Sequence, residues 1–114
     1  MPDEFCLILT TSGPKEAQSM AEMLVARHLA ACVQMLPINS RYLWEGSMVR
    51  DDEVLLLIKT RCELYAQVEA AILAAHSYDL PEIIQLPIER GYPPFLEWVK
   101  ENTNKKPVLV CKGL

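Results

Sequence analysis

Asp79 and Glu82 stand three apart in the stretch HSYDLPE. Carboxylate oxygens are the ligands that hard cations such as Mg²⁺ and Ca²⁺ take. Tyr42 and Trp44 stand two apart in RYLWEG. On an extended chain that spacing puts both rings on one face. Such a face either packs against another protein surface or stacks on a ligand. Lys59, Tyr78, Glu89 and Arg90 complete the polar set. Trp98 joins Tyr42, Trp44, Lys59, Tyr78 and Glu89 as a candidate for lining a cleft at a subunit boundary, where ligand sites are common. A lysine with acids nearby binds an anionic small molecule or closes an ion-pair network, and the residue types admit both.

Catalysis would require a nucleophile with a base, or a metal with an open position. The chain has neither GxSxG nor HExxH, and its four glycines cannot build a phosphate loop. His28 and His76 stand alone in the sequence. We therefore expect a binding protein, not an enzyme. The composition sets further limits. With 114 residues and a net charge of −4, the chain reads as one domain with scattered basic residues. That argues against a nucleic-acid footprint, which needs a clustered basic face. No apolar run reaches the ~20 residues of a membrane helix, and the start lacks the pattern of a secretory signal. Cys6, Cys32, Cys62 and Cys111 form no CxxC pair. They read as four free thiols of a cytoplasmic protein, three of them packed as small hydrophobes.

Regular elements must position these residues. FCLILTT reads as a strand ended by SGP. Pro14 opens a helix of about four turns, with Ala17, Met20, Ala21 and Leu24 on its buried stripe. His28 falls on or beside that stripe, where a histidine is usually packed or hydrogen-bonded. Ala31 to Glu45 is extended, with Pro37 marking an edge or a bulge. Gly46-Ser47 supplies a turn into VRDDEVLLLIKT. Thr60 and Glu63 have capping-box spacing for a second helix. Leu64, Val68, Ile72 and Ala75 form its stripe, and it ends at His76 before Leu80-Pro81. EIIQLPIER is a fourth strand, with Pro87 again at an edge or bulge. A short helix follows with Phe95 and Trp98 inward. The tail from 103 to 114 either adds an edge strand or stays disordered.

The order β-α-β-β-α-β plus a short helix predicts an α+β ferredoxin-like, split βαβ sandwich. Its core spans 5–102, with a four-stranded antiparallel sheet and helices on one face. The run Val54 to Ile58 is continuously apolar, as in a strand covered on both faces. Two helices cover one face, so a second copy of the chain is expected on the other. On this reading Leu56 belongs to the open face.

LAACVQMLPI, RYLWEG, DDEVLLLIKT, HSYDLPEIIQLPIERG and PPFLEWV, in this order and spacing, resemble the CutA divalent-cation tolerance family across residues 5 to 102. The resemblance implies a tight, non-catalytic homotrimer, similar in shape to PII signalling proteins, with open sheet faces together and long hairpins reaching between subunits. It also implies copper or another divalent cation as ligand, with His76 as the candidate metal residue it carries over, while Asp79 and Glu82 are candidates on residue type and spacing. The chain departs from the copper-binding members. Thr10 or Thr11 stands where they carry a cysteine, and Ala75 precedes His76 where they carry a second histidine. Two alternatives stand beside cation binding. One is a PII-like sensor of an anionic small molecule in inter-subunit clefts; the other is a trimeric scaffold for another protein.

Overall fold

The computed structural model describes residues 4–103. It is an α+β sandwich. Strands β1 (Phe5–Ser12), β2 (Cys32–Trp44), β3 (Ser47–Arg61) and β4 (Ile83–Ile88) alternate with helices α1 (Pro14–Ala26), α2 (Tyr65–Ala75) and α3 (Pro93–Thr103). The antiparallel sheet has the order β2-β3-β1-β4. Both predicted edge prolines sit on edge strands, where a missing N–H costs no inner ladder bond. The ladder runs through Pro37↔Val54 and Cys6↔Pro87 without a register step, so neither proline makes a bulge.

Parity along the strands decides what each side chain meets. Cys6, Ile8 and Thr10 of β1 stand beside Thr60, Ile58 and Leu56 of β3, and all six are fully buried. Met20 and Leu24 of α1 and Val68 and Ile72 of α2 close the core over them. Each large aliphatic side chain so buried contributes roughly 1.5–3 kcal/mol. Leu56 therefore lies under the helices, not on the open face. A continuous apolar run carries no period, and in this strand it is Leu55 and Leu57 that take the other side. Burial, and then the adjacent Cys62 thiol, push the Cys6 thiol up to about 12. Cys6, Cys32 and Cys62 are free; Cys111 and the tail from 104 lie outside the described residues.

α1 starts with Pro14 in its first turn after an extended Gly13. His28 lies beyond the helix instead of on its stripe. It takes a left-handed backbone, φ +57°, while Leu29 and Ala30 donate back to the Leu24 carbonyl. This is the αL way of closing a helix. Its Nδ1 lies 3.1 Å from the Asn102 carbonyl oxygen.

The expected capping box does not form. β3 continues to Arg61, a 3-10 turn covers Cys62–Leu64, and α2 starts only at Tyr65. Thr60 is buried, and its hydroxyl donates to the Leu29 carbonyl at 2.6 Å. Glu63 pairs with Arg61 at 2.7 Å. On α2, Ala71 is buried where Ala75 was expected, and Ala75 is exposed. α3 packs at the Arg61 end of β3. Arg61 donates to the Thr103 hydroxyl at 2.9 Å and to its carbonyl at 3.0 Å, which holds the helix end. Val99 and Thr103 are its buried residues. Phe95 and Trp98, expected inward, are both exposed and stack on each other with ring centroids 5.6 Å apart. Among the described residues no helix is long and apolar enough to cross a membrane.

β1 pairs with β3 only from Val54 onward. Ile38–Trp44 and Glu53–Ser47 therefore continue alone as a two-stranded arm. The loop at its tip is Glu45-Gly46, one residue earlier than expected. Both have positive φ, +51° and +83°, as a two-residue hairpin loop requires.

Candidate functional site

A cleft opens where the arm leaves the sheet. One wall is the β2 stretch from Ser40 to Trp44; another is the segment Tyr78 to Glu82, which follows α2. Thr11, Val49 and Glu53 form the floor, and the cavity volume is about 570 Å³. The arm register brings Tyr42 opposite Val49 and Ser40 opposite Asp51. This places Asp51 diagonal to Tyr42 on one face, and the Tyr42 hydroxyl donates to its carboxylate at 2.6 Å. The Tyr78 hydroxyl donates to Glu53 at 2.9 Å. That Asp51 bond, then loss of water, raises the Tyr42 phenol above its ordinary value. Burial first, and Glu53 second, raise that of Tyr78 further.

His76 lies beneath the cleft with a side chain 1 % exposed. Its ring packs against Tyr78 at 4.5 Å between centroids. Nε2 is 2.6 Å from the Thr11 carbonyl oxygen, which only accepts, so Nε2 carries the proton. Nδ1 accepts the Tyr78 backbone N–H at 3.2 Å. A Glu16 carboxylate oxygen lies 3.5 Å from the same Nδ1 and accepts from the Ser77 hydroxyl at 3.1 Å. Both imidazole nitrogens are thus engaged in holding the turn after α2 against β1.

The structure divides the sequence candidates into two groups. Tyr42, Trp44, Tyr78, Asp79 and Glu82 line the cleft together. Lys59 and Trp98 lie towards the far end of the sheet. There Lys59 donates to Gln34 at 2.6 Å and stands 5.7 Å over the Phe95 ring, which stacks on Trp98. Glu89 follows Ile88, which pairs with Phe5 at that same end, and is exposed. Of the two threonines, Thr10 is buried with no hydrogen-bond partner for its hydroxyl among the described residues, and Thr11 lines the cleft. Glu53 and Asp51 were not foreseen. The signal for them was the turn: once Glu45-Gly46 is the loop, the register across the arm follows.

These donors do not fit a copper centre within one chain. A soft cuprous site takes thiolates or several imidazoles. Here the one imidazole is buried and doubly bonded. Among the described residues no three His, Cys, Asp or Glu side chains cluster closely enough to hold a metal ion.

Residues 5–102 match the family described as CutA1 divalent ion tolerance protein. The divalent-cation tolerance protein CutA of Thermus thermophilus is 39% identical over 101 residues, 88% of this chain and 98% of that protein. The protein of the same name from Archaeoglobus fulgidus is 40% identical over 83% of this chain and 93% of its own. The solved structure of CutA1 from Shewanella sp. SIB1 superposes with a TM-score of 0.88 at 34% identity, covering 92% of this chain and 100% of that one.

Proposed function

The chain belongs to the CutA1 divalent ion tolerance protein family, and from that premise we propose that it is a non-catalytic, homotrimeric binding protein of divalent-cation tolerance. The open sheet face carries the proposal. Leu36, Ile84 and Leu86 are about half exposed there, beside Leu7, Leu9, Leu55 and Leu57. A contiguous apolar patch of this kind marks an interaction surface. A second and third copy are the partners the family supplies for it. Because the described residues of one chain gather no metal cluster, a bound copper or other divalent ion draws ligands from more than one copy. The free thiols support a reducing compartment, the cytoplasm.

The anion-sensor reading gains less from the geometry. The cleft is lined by three carboxylates, Glu53, Asp79 and Glu82, against one guanidinium, Arg41. Lys59 would have to come from a neighbouring copy. The scaffold reading makes the trimer a platform for another protein, and nothing in the cleft requires it.

Native mass spectrometry with and without added copper and zinc tests the proposal. The expected result is a trimer that takes up metal only as a trimer, and a lower mass for Leu86→Glu. A monomeric wild-type protein overturns the assembly. Uptake that His76→Ala abolishes would make His76 a ligand after all. A bare trimer would remove direct cation binding.

A further inference from the structure

Two thiols meet on the helix side of the sheet, opposite the face that neighbouring copies would cover. In the ladder between β1 and β3, Cys6 stands opposite Thr60, and both are fully buried. Cys62 follows two residues later, where the chain enters the 3-10 turn. Its backbone N–H donates to the Glu4 carbonyl at 2.8 Å, so the turn stays laced to the start of β1. Residues two apart on an extended chain keep the same face. Cys62 thus stands diagonal to Cys6 and packs against the same core cluster. The two thiols are in hydrogen-bonding contact. Cys32 is on the other face, paired with Lys59.

The two thiols differ in access. Cys6 has no exposure, whereas Cys62 is half-buried. Burial keeps the Cys6 thiol protonated at neutral pH, raised to about 12. The nucleophile that can meet a solute is therefore Cys62, and Cys6 is the thiol behind it. An oxidised cysteine beside a second thiol condenses with it instead of passing on to the irreversible acids. A disulfide is neutral, so an apolar core accepts it where a buried thiolate would be costly. Transient bonds of this kind are the ones a reducing compartment permits.

We propose that Cys6 and Cys62 form a reversible oxidation site for hydrogen peroxide, closing to a disulfide within the chain. The Cys62 thiolate attacks one peroxide oxygen and the O–O bond breaks. The other oxygen leaves as hydroxide, takes up the proton that the thiol gave, and becomes water. Cys62 is then a sulfenic acid. The Cys6 sulfur attacks the Cys62 sulfur; the S–S bond forms, the S–O bond breaks, and the Cys6 proton leaves with the hydroxyl as a second water. Two thiols lose two electrons in all, and the peroxide is reduced to two waters. A dithiol restores the pair. The site needs neither the metal nor the trimer proposal, so they fail separately.

The test uses the full chain with Cys32→Ser and Cys111→Ser, which leaves these two of the four thiols. The folded protein is treated with hydrogen peroxide, unfolded in iodoacetamide and weighed. The expected product has lost two hydrogen atoms per chain and takes no alkyl group. It gives a tryptic fragment that joins Cys6 to Cys62, and dithiothreitol returns both thiols. In Cys62→Ser, Cys6 should remain open to alkylation after peroxide. In Cys6→Ala, dimedone should capture Cys62 as the sulfenic acid, and prolonged peroxide should carry it to a sulfinic acid that dithiothreitol does not reverse. The proposal is overturned by two free thiols at a peroxide dose that fully oxidises glutathione. Oxygen added to Cys62 while Cys6 can still be alkylated, or a bond between chains in place of the internal one, also overturns it. So does Cys6 oxidised in Cys62→Ser as fully as in the parent. Should Cys6→Ala not fold, the linkage found in the parent decides alone.

Discussion

The middle of the sheet and the arm that leaves it are built from the same strand, β3, yet they meet very different surroundings. From Val54 to Lys59, β3 lies between two strands, and Leu56 and Ile58 are fully buried. From Ser47 to Glu53 it has β2 alone, and Leu43, Trp44 and Met48 at the tip are exposed. A lone two-stranded ribbon has little stability of its own in water. On its helix-covered face the first region is completed by its own chain. The second keeps apolar and aromatic surface available to something else.

The largest test of this contrast is in the core. Leu56→Ala should cost about 2–5 kcal/mol in urea unfolding, as cavity-forming changes do. Leu43→Ala at the arm tip should cost a small fraction of that. Comparable losses at both positions would end the distinction. Next comes Thr60→Val, which removes the bond to the Leu29 carbonyl and leaves a buried acceptor unpaired. A loss of about 1–3 kcal/mol is expected. An unchanged midpoint would show that the bond is dispensable.

Gly46→Ala comes third. Its φ of +83° strains any residue with a Cβ, by roughly 1–2 kcal/mol. Hydrogen exchange should speed up along the arm and stay slow in β1, because the cost is local. Equal acceleration in both would mean that arm and sheet unfold as one unit. The smallest effect is in alkali. Tyr42 and Tyr78 have phenols raised above the ordinary 10.0. The folded state therefore favours the protonated phenol. That contribution is complete below pH 10 and is lost as the pH climbs through the raised values. Absorbance titration should show part of the tyrosine ionising late, with stability falling in the same range. Tyrosines that all titrate at the ordinary value would remove the Asp51 and Glu53 bonds from the account of the cleft.

What could be read in the sequence depended on whether the local pattern had a single physical meaning. The stripe of Ala17, Met20, Ala21 and Leu24 had one, and all four are buried. Pro37 and Pro87 had two, an edge or a bulge, and the unbroken ladder on the outer strands selects the edge. Thr60 and Glu63 had two: T-x-x-E suits a helix start, but the same residues also end a strand, and tertiary pairing with Leu29 selected the strand. Leu56 could not be assigned a face, because an unbroken apolar run hides strand parity. Phe95 and Trp98 were expected inward on pattern alone. Where α3 meets the end of β3 the buried places went to Val99 and Thr103. Of the cleft, Tyr42, Trp44, Tyr78, Asp79 and Glu82 were visible as chemistry. Glu53 was not, because its burial depends on a register that only the turn fixes.

The two prolines bear on how growth of an assembly stops. An exposed strand edge is a template, and a sheet that recruits strands at both edges can lengthen without limit into fibrils. In this chain each edge strand lacks one amide donor, at Pro37 and at Pro87. A strand added to either side meets a break in its hydrogen-bond ladder. The molecule can thus present sticky apolar surface on its sheet face while its edges discourage endless polymerisation, favouring a closed set of copies over a filament.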